Sequence, residues 1–322
     1  MNIDIDKIYL NNNAIDYVAD DGIIKAVEIA IALGKPLLIS GEPGTGKTKL
    51  ADFVAMQLAT QTQGKDFAFL NVPYVFNTKS TSVSTDLFYF YDAVSHFRSQ
   101  HADTTTEQFI ELKPMGLAIA QTYGLNSNSL QGISKIGNMS ANYLQPQPRS
   151  SVVLIDEIDK APREFPNDLL NEMENYSFDI KEINQSVTRC KSDCRILVIM
   201  TSNSEKNLPN AFLRRCVFYH IGFPDKDKLL LIAKKRLMID NTTYDELIGK
   251  AIDEFNNIRN RAMNKKPSTS EFLDWINLLQ HYKLLNNSSF APDNTDPLYE
   301  ATKSTLIKNY EDQLILNNKA GA

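Results

Sequence analysis

Short apolar segments alternate with helical patterns through the first two-thirds of the chain. The segments cover residues 36–39, 67–72, 152–155, 196–200 and 217–221. Continuous apolar runs of this length are typical of strands that are buried on both faces, and their alternation with helices is typical of a parallel sheet. The pattern therefore predicts an α/β domain with a parallel sheet of five strands.

After residue 224 the pattern becomes helical only. Apolar residues recur three and four positions apart in two stretches, which are Leu247, Ile248, Ala251, Ile252, Phe255 and Ile258, and Phe272, Trp275, Ile276, Leu279 and Tyr282. We therefore predict two domains, an α/β domain over 1–224 and a smaller all-helical domain over 225–322. The stretch 74–148 is longer than a strand-to-strand crossover requires, which predicts an insertion in the first domain.

A glycine-rich loop follows the first predicted strand and precedes a helical pattern. Glycines let such a loop wrap tightly and point backbone N–H groups at phosphate oxygens. Lys47 would supply a cation to the β- and γ-phosphates, and the Thr48 hydroxyl would face Mg²⁺. The order of strand, loop and helix predicts a P-loop for a nucleoside triphosphate. The predicted nucleotide contacts are Gly41, Glu42, Pro43, Gly44, Thr45, Gly46, Lys47, Thr48 and Lys49.

Polar side chains follow two other predicted strands. Asp156 and Glu157 come directly after the apolar run 152–155, and Asn203 follows the run 196–200. The carboxyl ends of parallel strands are where open α/β sheets bind ligands. Asp156, together with Thr48, would hold Mg²⁺ largely through water, and Glu157 would polarise the attacking water. Asn203 would orient that water beside Glu157. Without the P-loop, a solvated acidic pair and a turn asparagine would be the default interpretation.

Taken together, the segments 17–27, 41–48, 154–162, 201–203, 211–216 and 267–275 resemble the AAA+ ATPases. More narrowly, they resemble the MoxR family within the branch that carries an insertion around its second helix. This resemblance spans roughly residues 15–285. It implies an αβα sandwich, a helical lid, and assembly into a ring, commonly a hexamer, with Mg²⁺ and ATP bound between neighbours. Arg214 and Arg215 fall where such proteins place arginine fingers.

The lid of this sequence departs from the AAA+ pattern. Many relatives carry an arginine at the start of the third lid helix, whereas this chain has serine and threonine at 268–270. Lys266 is a candidate substitute for that arginine. Ser268 or Thr269 would cap the helix, with Glu271 completing a capping box. The resemblance also suggests two hairpins directed at a substrate, one at 109–117 and one at 178–187. Packing of their apolar residues against the core is an equal alternative.

Composition and charge indicate which compartments and which kinds of partner to expect. A membrane span requires about 18 apolar residues, and the apolar runs here are far shorter. Residues 1–13 carry acids and asparagines where a secretory signal would be basic and then apolar, so we expect a cytoplasmic protein. The net charge of −5 gives no general attraction for nucleic acid. The spacing of the cysteines offers no convincing metal site.

The function expected from these features is Mg²⁺-dependent ATP hydrolysis by a ring that remodels or activates a protein partner, as MoxR relatives do. Such proteins often act with a von Willebrand factor A domain protein. One alternative is a nucleic-acid motor or restriction-type NTPase, because related AAA+ proteins with the same insertion translocate DNA. Another is a nucleotide-switched scaffold with negligible turnover, although the presence of both Asp156 and Glu157 speaks against it.

Overall fold

A computed structural model of the protein describes most of the chain. The described residues are 13–99, 105–124, 144–190, 193–203, 208–239, 244–262, 264–291 and 294–317. By their contacts these residues fall into two units. The sheet unit consists of Ala19–Gly41 and Lys47–Ile221, and the C-terminal unit takes in the described parts of Met1–Val18, Glu42–Gly46 and Gly222–Ala322. The phosphate loop is therefore divided, with its ends in the sheet unit and its middle in the C-terminal unit.

The strands of the described residues all lie in the sheet unit. They are β1 (Leu37–Gly41), β2 (Tyr74–Asn77), β3 (Tyr89–Tyr91), β4 (Ile110–Leu112), β5 (Ser151–Asp156), β6 (Ser177–Ile180), β7 (Gln185–Thr188), β8 (Ile196–Ser202) and β9 (Val217–Ile221). Strands β5 and β8 are the most apolar and are buried on both faces along almost their whole length. A strand in the middle of a covered parallel sheet requires this pattern.

The α-helices are distributed over both units. The sheet unit contains α1 (Asp21–Leu33), α2 (Lys47–Thr62), α3 (Ala93–Arg98), α4 (Pro114–Gln121), α5 (Phe165–Asp168), α6 (Leu170–Asn175) and α7 (Asn210–Leu213). The C-terminal unit contains α8 (Lys226–Leu237), α9 (Asp245–Arg261), α10 (Thr269–His281), α11 (Pro297–Thr302) and α12 (Tyr310–Asn317). None of the described helices combines the length and the apolar character that crossing a membrane requires.

The main sheet has five strands in the order β2-β5-β8-β1-β9, and every neighbouring pair is parallel. Helices flank it, so the predicted α/β fold is confirmed. Strand β1 lies between β8 and β9, with Ser40 opposite both Ser202 and His220. This register brings the end of β1, where the phosphate loop begins, beside the end of β8. Polar groups that follow β5 and β8 consequently lie at the same sheet edge as the loop.

The prediction of the second strand is wrong. Residues 67–72 contain only an isolated bridge from Phe69 to Ser150, and the strand that pairs with β5 begins after Pro73, at Tyr74. Proline lacks the N–H that a sheet ladder uses, so it separates the buried segment from the strand. Strand β2 thus lies inside the stretch 74–148 that the sequence suggested as an insertion.

Two short antiparallel pairs accompany the main sheet. Strands β6 and β7 form the hairpin expected at 178–187, and its Phe178 and Val187 side chains are buried. The region 109–117 is instead strand β4 followed by helix α4, and β4 pairs with β3. Its Ile110 and Met115 side chains are fully buried. The hairpin prediction for 109–117 is therefore wrong, because these apolar residues supply core.

The C-terminal unit has a core of its own. Phe255, Phe272 and Trp275 are fully buried in it, and each such side chain contributes roughly 1.5–3 kcal/mol relative to exposure. The Trp275 indole N–H donates to Thr302 Oγ1 at 2.9 Å, which satisfies the one polar group of that side chain. Helix α10 begins with Ser268 as N-cap and Glu271 in a capping box. The predicted cap of this helix is confirmed.

Candidate active site

Lys47 stands at the start of α2, where the chain re-enters the sheet unit after the loop. Its side chain is buried, and its Nζ donates to the carbonyl oxygen of Gly41 at 2.7 Å. A buried ammonium requires such partners, because an unpaired charge away from water is costly. The bond holds the cation across the mouth of the loop that Gly41 and Lys47 delimit, at the positive end of a sixteen-residue helix.

Thr48 and Asp156 meet at the carboxyl edge of the sheet. Thr48 Oγ1 lies 3.0 and 3.1 Å from the two carboxylate oxygens of Asp156, to which it donates. A hydroxyl and a carboxylate are oxygen donors of the kind that Mg²⁺ prefers, and Mg²⁺ commonly keeps several waters beside one or two protein ligands. The residues present therefore fit a partly hydrated Mg²⁺ ion.

Thr201, in strand β8, ties the two acidic residues together. Its fully buried hydroxyl donates to Asp156 Oδ1 at 2.6 Å and accepts from the backbone N–H of Glu157 at 2.8 Å. A hydroxyl can serve as donor and acceptor at once, whereas a methyl group could do neither. Thr201 thus fixes both residues at the end of β5.

Glu157 has a left-handed backbone, with φ 55° and ψ 52°. For a residue other than glycine this conformation costs about 1–3 kcal/mol, and it persists only where the surroundings impose it. The bond to Thr201 is one such constraint, and the Lys160 N–H donating to the Glu157 carbonyl at 2.9 Å is another. Backbone strain that is held in this way is a feature of functional positions.

The Glu157 carboxylate is oriented from two sides. Asn203 Nδ2 donates to Oε1 at 3.0 Å, and Lys160 forms an ion pair with Oε2. Asn203 is itself anchored, because its backbone N–H donates to Asp159 Oδ2 at 3.1 Å. The Glu157 side chain is nevertheless 35% exposed, so it remains accessible to a water molecule. The structure thus brings Asn203 to the acidic residue beside which the sequence placed it.

The middle of the phosphate loop, Glu42–Gly46, belongs to the C-terminal unit. Gly44 and Gly46 have φ of 75° and 89°, which residues with a side chain rarely adopt. A Cβ on Gly44 would lie 2.6–2.8 Å from side-chain atoms of Ser268 and Ser270. Thr45 Oγ1 donates to the Glu42 carbonyl at 2.8 Å. The loop conformation and its close approach to helix α10 therefore both require glycine.

The other predicted site residues lie as follows. Lys49 is turned along the surface of α2 toward Asp52, at 3.3 Å, and Pro43 is exposed. Arg215 forms an ion pair with Glu174 and donates to the Ala211 carbonyl at 3.3 Å. Arg214 is exposed, and no ion pair joins it to another residue that the structure describes. Of the two arginines, Arg214 has the more available guanidinium.

Sequence reasoning missed the roles of Thr201 and Lys160. Thr201 carried a usable signal, since it is the first polar residue after the apolar run of β8. Lys160 lies three residues after Glu157 in a single helical turn, Ile158–Lys160, and that spacing allows an ion pair. Thr201 and Lys160 therefore add hydrogen bonds and an ion pair that hold the two acidic residues at the carboxyl end of β5.

A metal site built on cysteine finds no support in the structure. Among the described residues, no group of three or more His, Cys, Asp or Glu side chains could hold a metal ion. Burial raises the pKa of the Cys216 thiol to about 12, so this thiol is protonated at neutral pH. His220 Nδ1 instead lies 2.9 Å from Ser40 Oγ. The oxygen donors of Thr48 and Asp156 form a different kind of site, one that suits a partly hydrated ion.

Residues 37–224 match the family model described as "ATPase family associated with various cellular activities (AAA)". The match covers more than half of the chain and includes the loop, strands β5 and β8 and their polar ends. The chain therefore belongs to the AAA family of ATPases. Its fold is the parallel five-stranded α/β fold described above, and its activity is that of an ATPase.

Other comparisons add little to this assignment. A solved structure named "putative ATPase" from Cytophaga hutchinsonii ATCC 33406 is similar to this chain at 16% sequence identity. The similarity covers 92% of this chain and 88% of that one, with a TM-score of 0.39. No match was found among curated proteins. At this level of similarity no conclusion about this chain is taken from that neighbour, and the family match alone defines the class.

Proposed function

We propose that this ATPase hydrolyses Mg²⁺-bound ATP at the sheet edge where Lys47, Thr48 and Asp156 meet the base Glu157. The observation that carries the proposal is the contact of Thr48 with Asp156, next to a glutamate whose backbone and carboxylate are both fixed. Loop cation, metal donors and base are the parts that phosphoryl transfer requires. A nucleotide-switched scaffold would need none of the support that Glu157 receives.

In this mechanism each residue has a separate task. Lys47 binds the β- and γ-phosphates and exchanges its bond to the Gly41 carbonyl for them. Mg²⁺, when bound, neutralises charge that develops on the phosphate oxygens. Thr48 and Asp156 would hold that ion, and Thr201 keeps Asp156 in place. Catalysis of this kind rests on positioning and electrostatic stabilisation more than on covalent chemistry.

Glu157 accepts a proton from the attacking water. Asn203 keeps one oxygen of the carboxylate fixed and can also orient the water beside it. Lys160 occupies the other oxygen, so this ion pair must loosen or leave room when water binds. Since Lys160 is 42% exposed, its side chain can swing into solvent at little cost.

We further propose that the protein assembles into a ring, as the resemblance to MoxR proteins implies, and that Arg214 reaches the nucleotide of the neighbouring subunit. Its exposed guanidinium supports this role, because a finger residue must be available to another chain. Arg215 is held by Glu174 and Ala211 within its own chain, so it contributes less. A guanidinium suits the charge spread over the transferring phosphoryl group.

Arg214→Ala is expected to lower the ATPase rate of the assembled protein by about 10³-fold or more, because a finger arginine stabilises transition-state charge. Arg215→Ala, the matched control on the adjacent residue, should lower it far less. ATP binding to the monomer should be unchanged in both variants. The measurement is steady-state phosphate release per subunit at increasing protein concentration, with nucleotide affinity determined in parallel.

Mixing two inactive variants tests whether Arg214 acts across subunits. Arg214→Ala keeps Glu157, and Glu157→Gln keeps Arg214, so about a quarter of the interfaces in randomly mixed rings would hold both. Activity should therefore reappear on mixing. If mixed rings form and remain inactive, or if Arg214→Ala hydrolyses ATP at the normal rate, the assignment of the finger is wrong.

We propose a protein as the partner that this ATPase remodels or activates, with a von Willebrand factor A domain protein as the candidate that the MoxR resemblance suggests. The net charge of −5 supports a protein over nucleic acid. Exposed apolar side chains also support a protein partner, since Phe90, Val94 and Phe97 in β3 and α3 are 50%, 60% and 75% exposed.

The alternative, a nucleic-acid motor, predicts ATPase stimulation by DNA that falls steeply with salt. A protein-directed ATPase predicts no such stimulation.

A further inference from the structure

Arg259, in helix α9 of the C-terminal unit, is a nearly buried arginine. It is 8% exposed, and its guanidinium lies 3.7 Å from the centre of the Phe223 ring. Arginines are rarely buried unless their donors are satisfied. Stacking on an aromatic ring fixes the plane of the guanidinium and leaves its N–H groups directed outward. Arg259 is therefore held in one orientation.

Two strong hydrogen bonds use that orientation. Arg259 Nη1 donates to the Pro267 carbonyl at 2.6 Å, and Nη2 donates to Glu42 Oε2, also at 2.6 Å. Glu42 is the second residue of the phosphate loop and lies 217 positions away along the chain. Its side chain is 52% exposed, whereas that of Arg259 is 10% exposed. A charge-assisted bond to a buried, fixed guanidinium is stronger than an ordinary surface ion pair.

Both acceptors of Arg259, the Glu42 carboxylate and the Pro267 carbonyl, bear on the phosphate loop. Glu42 belongs to the loop itself, and Pro267 immediately precedes Ser268, the N-cap of α10. The Ser268 side chain is one of those that approach Gly44 most closely. One guanidinium thus fixes both the acidic residue of the loop and the turn that packs on its glycine.

The charge of Glu42 gives this pair a consequence for nucleotide binding. A carboxylate inside a loop that receives phosphates repels an anion of the same sign. Arg259 neutralises that carboxylate and turns it into a structural element of the loop. A Glu42 carboxylate that Arg259 no longer neutralises would weaken phosphate binding, whereas a neutral residue at position 42 would not.

We propose that Arg259 is a positioning residue for the phosphate loop, which acts through Glu42 and makes nucleotide affinity depend on the C-terminal helices. The chain has Ser268 and Thr269 at the start of α10, and Arg259 connects the C-terminal helices to the loop through Glu42. This inference rests on the proposed use of the loop at Gly41 to Thr48 as the nucleotide site.

The test is equilibrium titration of the full-length protein with a fluorescent ADP, mant-ADP, in the presence of Mg²⁺. Arg259→Ala is expected to raise the Kd about tenfold, because Arg259 then no longer neutralises the carboxylate of Glu42. Adding Glu42→Gln should restore most of the lost affinity. Arg259→Lys keeps the positive charge but loses the stacking and the paired donors, so its Kd should rise by less than that of Arg259→Ala. Lys250→Ala, which breaks an exposed ion pair with Glu246 on the same helix, is the matched control and should leave the Kd unchanged.

A purely structural role for Arg259 predicts a different pattern. In that case Arg259→Ala would lower the melting temperature, and Glu42→Gln would not restore affinity, which would overturn the proposal. Lys47→Ala distinguishes a failure of the proposed nucleotide site from a failure of the coupling through Arg259. If Lys47→Ala binds mant-ADP normally, the proposed nucleotide site is wrong; if only the Arg259 effects fail, the site stands without the coupling.

Discussion

Glu157→Gln is expected to reduce ATP turnover by about 10²–10⁴-fold while leaving ATP binding intact, because the variant removes the general base and, besides it, only a part-exposed ion pair with Lys160. Glutamine has the same shape as glutamate and can still accept the hydrogen bond from Asn203 Nδ2. The backbone bond to Thr201 does not involve the side chain. The substitution therefore separates proton transfer from binding and from folding.

The effect of Glu157→Gln is measured as phosphate release at saturating ATP, together with the Kd for ATP. Glu164→Gln, an exposed glutamate that precedes helix α5, is the matched control and should behave like the unmodified protein. Turnover that persists in Glu157→Gln would remove Glu157 from the role of base. Lost ATP binding would instead show that the carboxylate supports the nucleotide site itself.

Lys47→Ala is expected to weaken ATP binding by about 10²-fold and to abolish measurable turnover, since the lysine supplies charge-assisted bonds of about 1.5–3 kcal/mol each. Its ammonium is already confined at the mouth of the loop by the Gly41 carbonyl. Alanine leaves that carbonyl without this donor and leaves the loop without its cation. We therefore expect the affinity for ATP to fall, and the turnover rate to fall because of it.

Isothermal titration with ATP in the presence of Mg²⁺ measures this loss, and circular dichroism checks that the variant is folded. Lys25→Ala, which removes an exposed lysine paired with Glu28 on helix α1, serves as the control for charge alone. Normal affinity in Lys47→Ala would mean that the nucleotide binds elsewhere. Such a result would also remove the basis for the roles proposed for Thr48 and Asp156.

The central strands could be predicted from the sequence because burial on both faces leaves a long apolar run. Strands β5 and β8 show this signal, and their polar ends follow directly. The edge strand β2 was misplaced because an edge strand is only half buried and its pattern is weaker. The nearby run at 67–72 looked more like a strand, although Pro73 follows it and Val72 is 62% exposed.

The candidate site could be predicted as far as its residues follow strands in the chain. Asp156 and Asn203 come at or just after the end of a strand, and Lys47 begins the helix that follows the loop after β1, so the parallel pairing of the strands brings them to one sheet edge. The ion pair of Lys160 with Glu157 joins residues close in sequence, but it depends on the left-handed backbone of Glu157, which the sequence does not predict. The contact between Arg259 and Glu42 joins residues far apart in sequence and could not be predicted without the packing of the C-terminal unit.

Whether the phosphate loop and the acidic end of β5 form one catalytic site is tested most directly by a crystal structure of the Glu157→Gln protein with ATP and Mg²⁺. We expect the phosphates along the loop from Gly41 to Thr48, with Lys47 on the β- and γ-phosphates. The metal ion should lie beside Thr48 and Asp156. A nucleotide bound away from this loop, or a metal ion held without either residue, would contradict the proposed site.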